Sequence, residues 1–291
     1  MSRMGDVLAG LHAVWEFESD SVLIRYERGI RTPKLFQVLG ERRIPHEAIS
    51  EVALAPGKRG TVVLRAVPRP GADALMDAAD GQLRPGCDPY RLVVPGERKA
   101  LAEYYAAELR TLAHGAGDEP PGRYLVAPPE APQQFKAYDG KAAFDGHSVS
   151  FRWFWTGASS AKWKAGDQHF PVAELSGVEW RSPELLDGHL RLLREAAVPG
   201  PREQADQDPA SVVFGVGYGP VHESLPFAAA VLAALRPPAA TGAALPRRQS
   251  AAHRDPADIA DRIRHLGELH EAGLVTDEEF SAKKAQLLAE L

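Results

Sequence analysis

Cysteine is all but missing from this chain. A single residue, Cys87, in 291 excludes an intrachain disulfide and any cysteine-based zinc cluster, which suits a reducing compartment. Cys87 stands in the turn-like stretch "RPGCDPY" without a base paired to it, so it reads as an ordinary thiol and not as a nucleophile. Long apolar runs are missing too. No uncharged stretch approaches the ~20 residues that a membrane-spanning helix needs, and "MSRMGDVLAGLHAVW" lacks the basic region, apolar run and cleavage site of a signal peptide. A cytoplasmic location is the expectation. Charge of one sign is not in excess either: 34 Lys and Arg face 39 Asp and Glu, a net of −5, without the basic stripe of a nucleic-acid binder. Catalytic signatures are also absent. There is no phosphate loop ending in Gly-Lys-Ser/Thr, no His-Glu-x-x-His, no Gly-x-Ser-x-Gly and no Cys/His zinc spacing. "GVGYG", residues 215–219, is followed by Pro220 rather than by an opening helix, so it reads as a glycine-kinked strand or hairpin. No enzyme activity, cofactor or metal is expected.

What the chain does have is hydrophobic residues at 44% and two internal breaks, enough for two ordinary cores. Stretches rich in proline, glycine and alanine at 114–134 and 237–255 read as linkers, the second flexible. The blocks between them repeat one another. At constant offset Phe17 falls on Phe144, Val22 on Val149, Ile24 on Phe151 and Tyr26 on Trp153. Further on, "RIPHEAISEV" lies over "HFPVAELSGV", pairing Ile44 with Phe170 and Pro45 with Pro171, and "GTVVLRA" answers "GHLRLLR". Within each block the apolar residues alternate as half-buried strands require. Each block then closes on a helix. In the first, Leu101, Tyr104, Tyr105, Leu109 and Leu112 define an apolar face. In the second, Phe227, Val231 and Leu235 repeat every four, with Pro226 in the first turn.

Short strands followed by one helix, twice, resemble the pleckstrin-homology-like (PH-like) superfold. "VWEF", "DSVLIRY" and "RIPHEAISEV" resemble a bacterial family of tandem repeats of this kind, common in actinobacteria and uncharacterised. The resemblance implies an α+β fold, each domain a curved antiparallel sheet or barrel capped by its C-terminal helix, over 8–113 and 135–236.

The last segment, 256–291, reads as a helical hairpin. Asp255 caps a helix that starts at Pro256, and Ile259, Ile263, Leu266 and Leu269 form its stripe. Gly273 ends that helix, Thr276 caps the next with Glu279 reaching back, and Val275 with Phe280 forms a hydrophobic staple. The pattern Leu266, Leu269, Gly273, Thr276, Glu279, Phe280, Lys283, Lys284 and Leu287 is similar to the short C-terminal (SHOCT) domain family. That resemblance implies association, and Ile263, Leu266, Leu269, Phe280 and Leu287 read as the face that meets a second copy, another protein or the chain's own β domains. A nucleic-acid association is the weaker implication. Eight acidic residues against four basic ones from Pro256 onward would repel phosphates.

Two further clusters are candidates. Arg25, Arg28, Arg31 and Lys34, around an early hairpin, could hold an anionic lipid headgroup or a phosphate ligand. Arg42 and Arg43 read as solvated strand residues. In "FRWFWTGASSAKWK", Trp153 fits the strand alternation, whereas Trp155 and Trp163, beside Lys162 and Lys164, suit a contact between domains or copies. The reading that emerges is a non-catalytic scaffold; peripheral binding of anionic lipid or a phosphate ligand through the basic cluster, and nucleic-acid association, are the alternatives to it.

Overall fold

Alternating strands and short connections of the kind read above build an α+β molecule of two β-rich domains. The computed structural model describes residues 6–113, 120–195 and 203–236. The chain divides after Ala239, and all of the described residues lie before that division. The hairpin residues Ile263, Leu266, Leu269, Gly273, Thr276, Glu279, Phe280 and Leu287 fall outside them.

Repeat 1 begins with a four-stranded antiparallel sheet of β1 (Asp6–Ala9), β2 (Ala13–Phe17), β3 (Ser21–Tyr26) and β4 (Glu41–Pro45), in that order. The β3–β4 connection carries a short helix, α1 (Lys34–Leu39). A three-stranded antiparallel sheet follows: β5 (Ile49–Pro56), β6 (Val62–Pro68) and β7 (Arg91–Val94). Its β6–β7 connection carries α2 (Ala74–Ala79), and α3 (Lys99–Ala113) closes the repeat. The two sheets meet where Leu11 bridges Val93.

Repeat 2 runs through the same series. β8 (Gln133–Lys136), β9 (Gly140–Phe144), β10 (Ser148–Trp153) and β11 (Gln168–Pro171) form its first sheet, with α4 (Ser160–Ala165) in the β10–β11 connection. β12 (Leu175–Arg181), β13 (His189–Arg194) and β14 (Ser211–Val213) form its second, and α5 (Val221–Ala234) closes it.

The duplication extends to register. Val22 lies opposite Phe17 and Ile44, as Val149 lies opposite Phe144 and Phe170. A register shift between Ile49 and Glu51 recurs between Leu175 and Gly177. A one-residue slip would turn every apolar side chain outward, so matching registers follow from matching apolar patterns.

The closing helices differ. On α3 the buried residues are Ala102, Tyr105, Ala106 and Leu109, while Leu101, Tyr104 and Leu112 are exposed. This corrects the expected face: small alanines let the helix approach the sheet, and three of the five large residues point elsewhere. α5 starts at Val221, which puts Pro226 inside the helix and not in its first turn. Burial explains why a proline is tolerated there. Residues 224–231 are all buried, between the sheets of repeat 2 on one side and α1 and α2 of repeat 1 on the other, so packing outweighs the lost backbone bond. Leu35, Ala74, Leu75, Ala78 and Ala79 of repeat 1 therefore belong to the core of repeat 2.

Polar contacts seal the seam. The Gln82 side chain donates to Trp180 O at 3.0 Å and accepts from Ser182 N at 2.9 Å. Arg236, just beyond α5, donates to Gly71 O at 2.7 Å and stacks 4.0 Å above the Tyr124 ring. Tyr124 lies in the connection between the repeats, and burial pushes its phenol up to about 12.

Candidate interaction surfaces

Both clusters marked by sequence lie in the same connection of the fold, one in each repeat. In repeat 1 the segment after Tyr26 is not a simple hairpin. It is a loop followed by α1, tied down where the Gln37 side chain donates to Gly29 O at 3.0 Å and Thr32 O at 2.9 Å. Arg25 stands apart from the proposed patch, because it pairs across the sheet with Glu16 and, at 3.7 Å, with Glu41. Arg28, Arg31 and Lys34 are exposed in the connection itself.

In repeat 2 the corresponding connection is aromatic. Ser159 caps α4 by accepting from Lys162 N, and this places Trp163 in edge contact with Trp155, their ring centroids 5.8 Å apart at 82°. The structure brings these two predicted residues together and leaves them 80% (Trp155) and 51% (Trp163) exposed. Trp153 is buried, as its alternation required. Lys162 is not the surface cation expected beside them. It is fully buried, its Nζ 2.5 Å from Asp139 Oδ2 and 5.0 Å from the Trp153 ring centre. Asp139 Oδ1 also accepts from Val213 N at 2.9 Å, so this pair joins α4, the β8–β9 turn and β14. Burial pulls the Lys162 ammonium below its ordinary range, although Asp139 opposes the shift. In repeat 1 the corresponding contact is apolar: Phe36 stacks on Tyr26 at 4.7 Å.

A second buried network went unread in the sequence. Arg42, expected at the surface, is 5% exposed. Its Nη2 donates to Asp73 Oδ1 at 2.8 Å and its Nε to Tyr90 Oη at 3.0 Å, while Tyr90 Oη donates to Asp73 Oδ2 at 2.6 Å. Burial alone would lower the Arg42 guanidinium, but the Asp73 carboxylate together with Tyr90 and Tyr26 more than offsets it and holds the charge. Arg43, its neighbour, is half exposed and pairs with Glu18, as a strand surface residue does. His46 is buried with no hydrogen-bond partner at Nε2 among the described residues, and burial lowers its titration.

Between the repeats lies a groove of about 340 Å³. Pro33, Lys34 and Cys87 of repeat 1 face Tyr218 and His222 of repeat 2 across it, and Arg84 bridges to Glu184 at 2.6 Å. Burial raises the Cys87 thiol and lowers His222, with Glu184 adding to the first and Lys34 to the second. A hairpin turn at 215–218 forms one wall, as read from "GVGYG". Among the described residues, no three His, Cys, Asp or Glu side chains converge as metal ligands, and no helix is long and apolar enough to cross a membrane.

Comparison with known proteins agrees with the duplication. No curated protein matches the chain. Residues 261–288 match the short C-terminal domain. Residues 15–110 and 142–232 each match a domain of unknown function (DUF4429). Because those two stretches make up more than half of the chain, the protein belongs to the DUF4429 family.

Proposed function

We propose that this chain is a non-catalytic interaction scaffold, built from two PH-like modules locked into one body and a C-terminal helical hairpin that associates with itself or with another protein. The PH-like assignment is supported by the order of elements: a four-stranded sheet, a three-stranded sheet and a closing helix, twice. Support for the hairpin comes from its caps and staple and from the family match over 261–288. One observation carries the functional reading. Trp155 and Trp163 hold apolar rings in contact on the surface, where large aromatic side chains serve to bind other macromolecules. By contrast, the strongly buried charges Arg42 and Lys162 are spent on internal pairs. The hairpin's part is tested by the solution mass of the full chain and of a version ending at Ala240, measured by light scattering after size exclusion. The full chain is expected to show the higher oligomeric state, or the isolated tail to capture a partner in pull-down. Equal oligomeric states, together with a tail that captures nothing, would remove the hairpin from the association.

A further inference from the structure

One docking geometry is already in use inside the molecule. Repeat 1 lays its β3–β4 connection, through Leu35, and its β6–β7 connection, through Ala74 and Ala78, against α5, the closing helix of repeat 2. Two surfaces of the same kinds are left over. The β10–β11 connection, the counterpart of β3–β4, exposes Trp155 and Trp163. The outer side of α3, the counterpart of α5, carries Leu101, Tyr104 and Leu112 at 39%, 59% and 43% exposure. At about 100° per residue these three fall within roughly one quarter of the helix circumference.

The two helices can be aligned through their cores. Tyr105 stacks on Phe17 at 4.0 Å, and Phe227 meets Phe144, the repeat counterpart of Phe17, at 6.3 Å. This alignment sets Tyr104 at the position of Pro226, which is buried in the molecule, whereas Tyr104 is 59% exposed, with its ring edge-on to Tyr105 at 5.2 Å. Size fits the apolar centre of an interface. Trp155 and Trp163 together expose roughly 250 Å² if an aromatic side chain presents ~150–250 Å². That is over half of the apolar share of one side of a standard ~800 Å² interface. Charge agrees as well: Lys164 follows Trp163, and Glu108 lies between Tyr104 and Leu112.

We infer that a second copy of this chain is the occupant: the Trp155–Trp163 surface of one copy covers the Leu101, Tyr104 and Leu112 stripe on α3 of the next. The contact uses the same two kinds of element as the internal one, a strand connection laid on a closing helix, without a counterpart of α2 and with Tyr104 as the position shared with the buried face of α5. Because it joins two different surfaces, it is heterologous and either propagates or closes into a ring.

The test uses the full chain and three variants, by light scattering across a concentration series. One variant carries Trp155→Glu with Trp163→Glu, the second Leu101→Glu with Tyr104→Glu, and the third all four substitutions. The third sets a baseline that includes any association through the C-terminal segment. The wild-type mass is expected to exceed that baseline and to grow with concentration, and each two-site variant is expected to fall to it. An equimolar mixture of the two should regain one pairing step, because each supplies the surface that the other lacks. A wild-type mass equal to the baseline overturns the proposal. So does a mixture that stays at the baseline, and so does a two-site variant that stays above the baseline by itself, the result for a surface that pairs with its own kind. If thermal unfolding shows a glutamate variant to be misfolded, the serine forms Trp155→Ser with Trp163→Ser and Leu101→Ser with Tyr104→Ser take its place, with the same outcomes.

Discussion

Arg42 shows how much one residue position can hide. Its neighbours Glu41 and Arg43 are exposed and Ile44 is fully buried, so the period of two puts Arg42 on the inward face. Charge argued the other way, and only the partners Asp73 and Tyr90, 31 and 48 residues distant in sequence, resolve the conflict. Removing one member of a buried pair leaves the other uncompensated, which costs about 3–5 kcal/mol. Arg42→Ala and Asp73→Ala are each expected to lose that much in urea unfolding, whereas Arg42→Met with Asp73→Leu and Tyr90→Phe should recover part of it, the α2 cap supplied by Asp73 being lost as well. A single-variant loss below about 1 kcal/mol would mean that the network contributes little. Lys162 posed the same difficulty. Its place within "SSAKWK" suggests a surface cation, and nothing local to that stretch indicates that Asp139 waits beneath it.

Three- and four-residue spacing identifies α3 as a helix, but spacing alone does not select its inward face. Leu101, Tyr104 and Leu112 satisfy that spacing as well as Ala102, Tyr105, Ala106 and Leu109 do, and hydrophobicity favours the larger set. The close approach of helix to sheet favours the smaller one. A direct comparison follows: Tyr105→Ala removes a buried ring stacked on Phe17 and is expected to cost about 3–5 kcal/mol. Tyr104→Ala removes an exposed one and should stay within about 0.5 kcal/mol. Chemical denaturation of the two variants decides the facing, and equal losses would contradict it. The short helices α1, α2 and α4 were not expected at all. At six residues each they are too brief for helical periodicity, and only the caps Asp73 and Ser159 mark two of them.

For the whole molecule the deciding fact is that α5 is shared. Leu225, Phe227, Ala228, Ala229 and Ala230 are buried in a core that includes Leu35, Leu75 and Ala78 of repeat 1. Repeat 2 does not keep its full core alone, whereas the core under α3 draws on repeat 1 and the connection that follows it. Thermal unfolding of the region before the division is therefore expected to be a single calorimetric transition, and repeat 2 produced alone as residues 120–236 is expected to aggregate or to lack a cooperative transition. Two separate transitions, with repeat 2 folding alone, would show that the shared core adds little.

The sequence by itself determined the duplication, the strand registers and the closing helices, because these follow from local spacing of apolar residues and from turn chemistry. It also marked Trp155 and Trp163, which have no place in the alternation of β10. Only the tertiary structure decided that α5 is buried on all sides over residues 224–231 while α3 keeps an open flank. It likewise decided that Arg42 and Lys162 lie inside and that the two candidate connections occupy corresponding places in the repeats. Those outcomes depend on which distant groups meet, and burial is a property of the meeting and not of the residue.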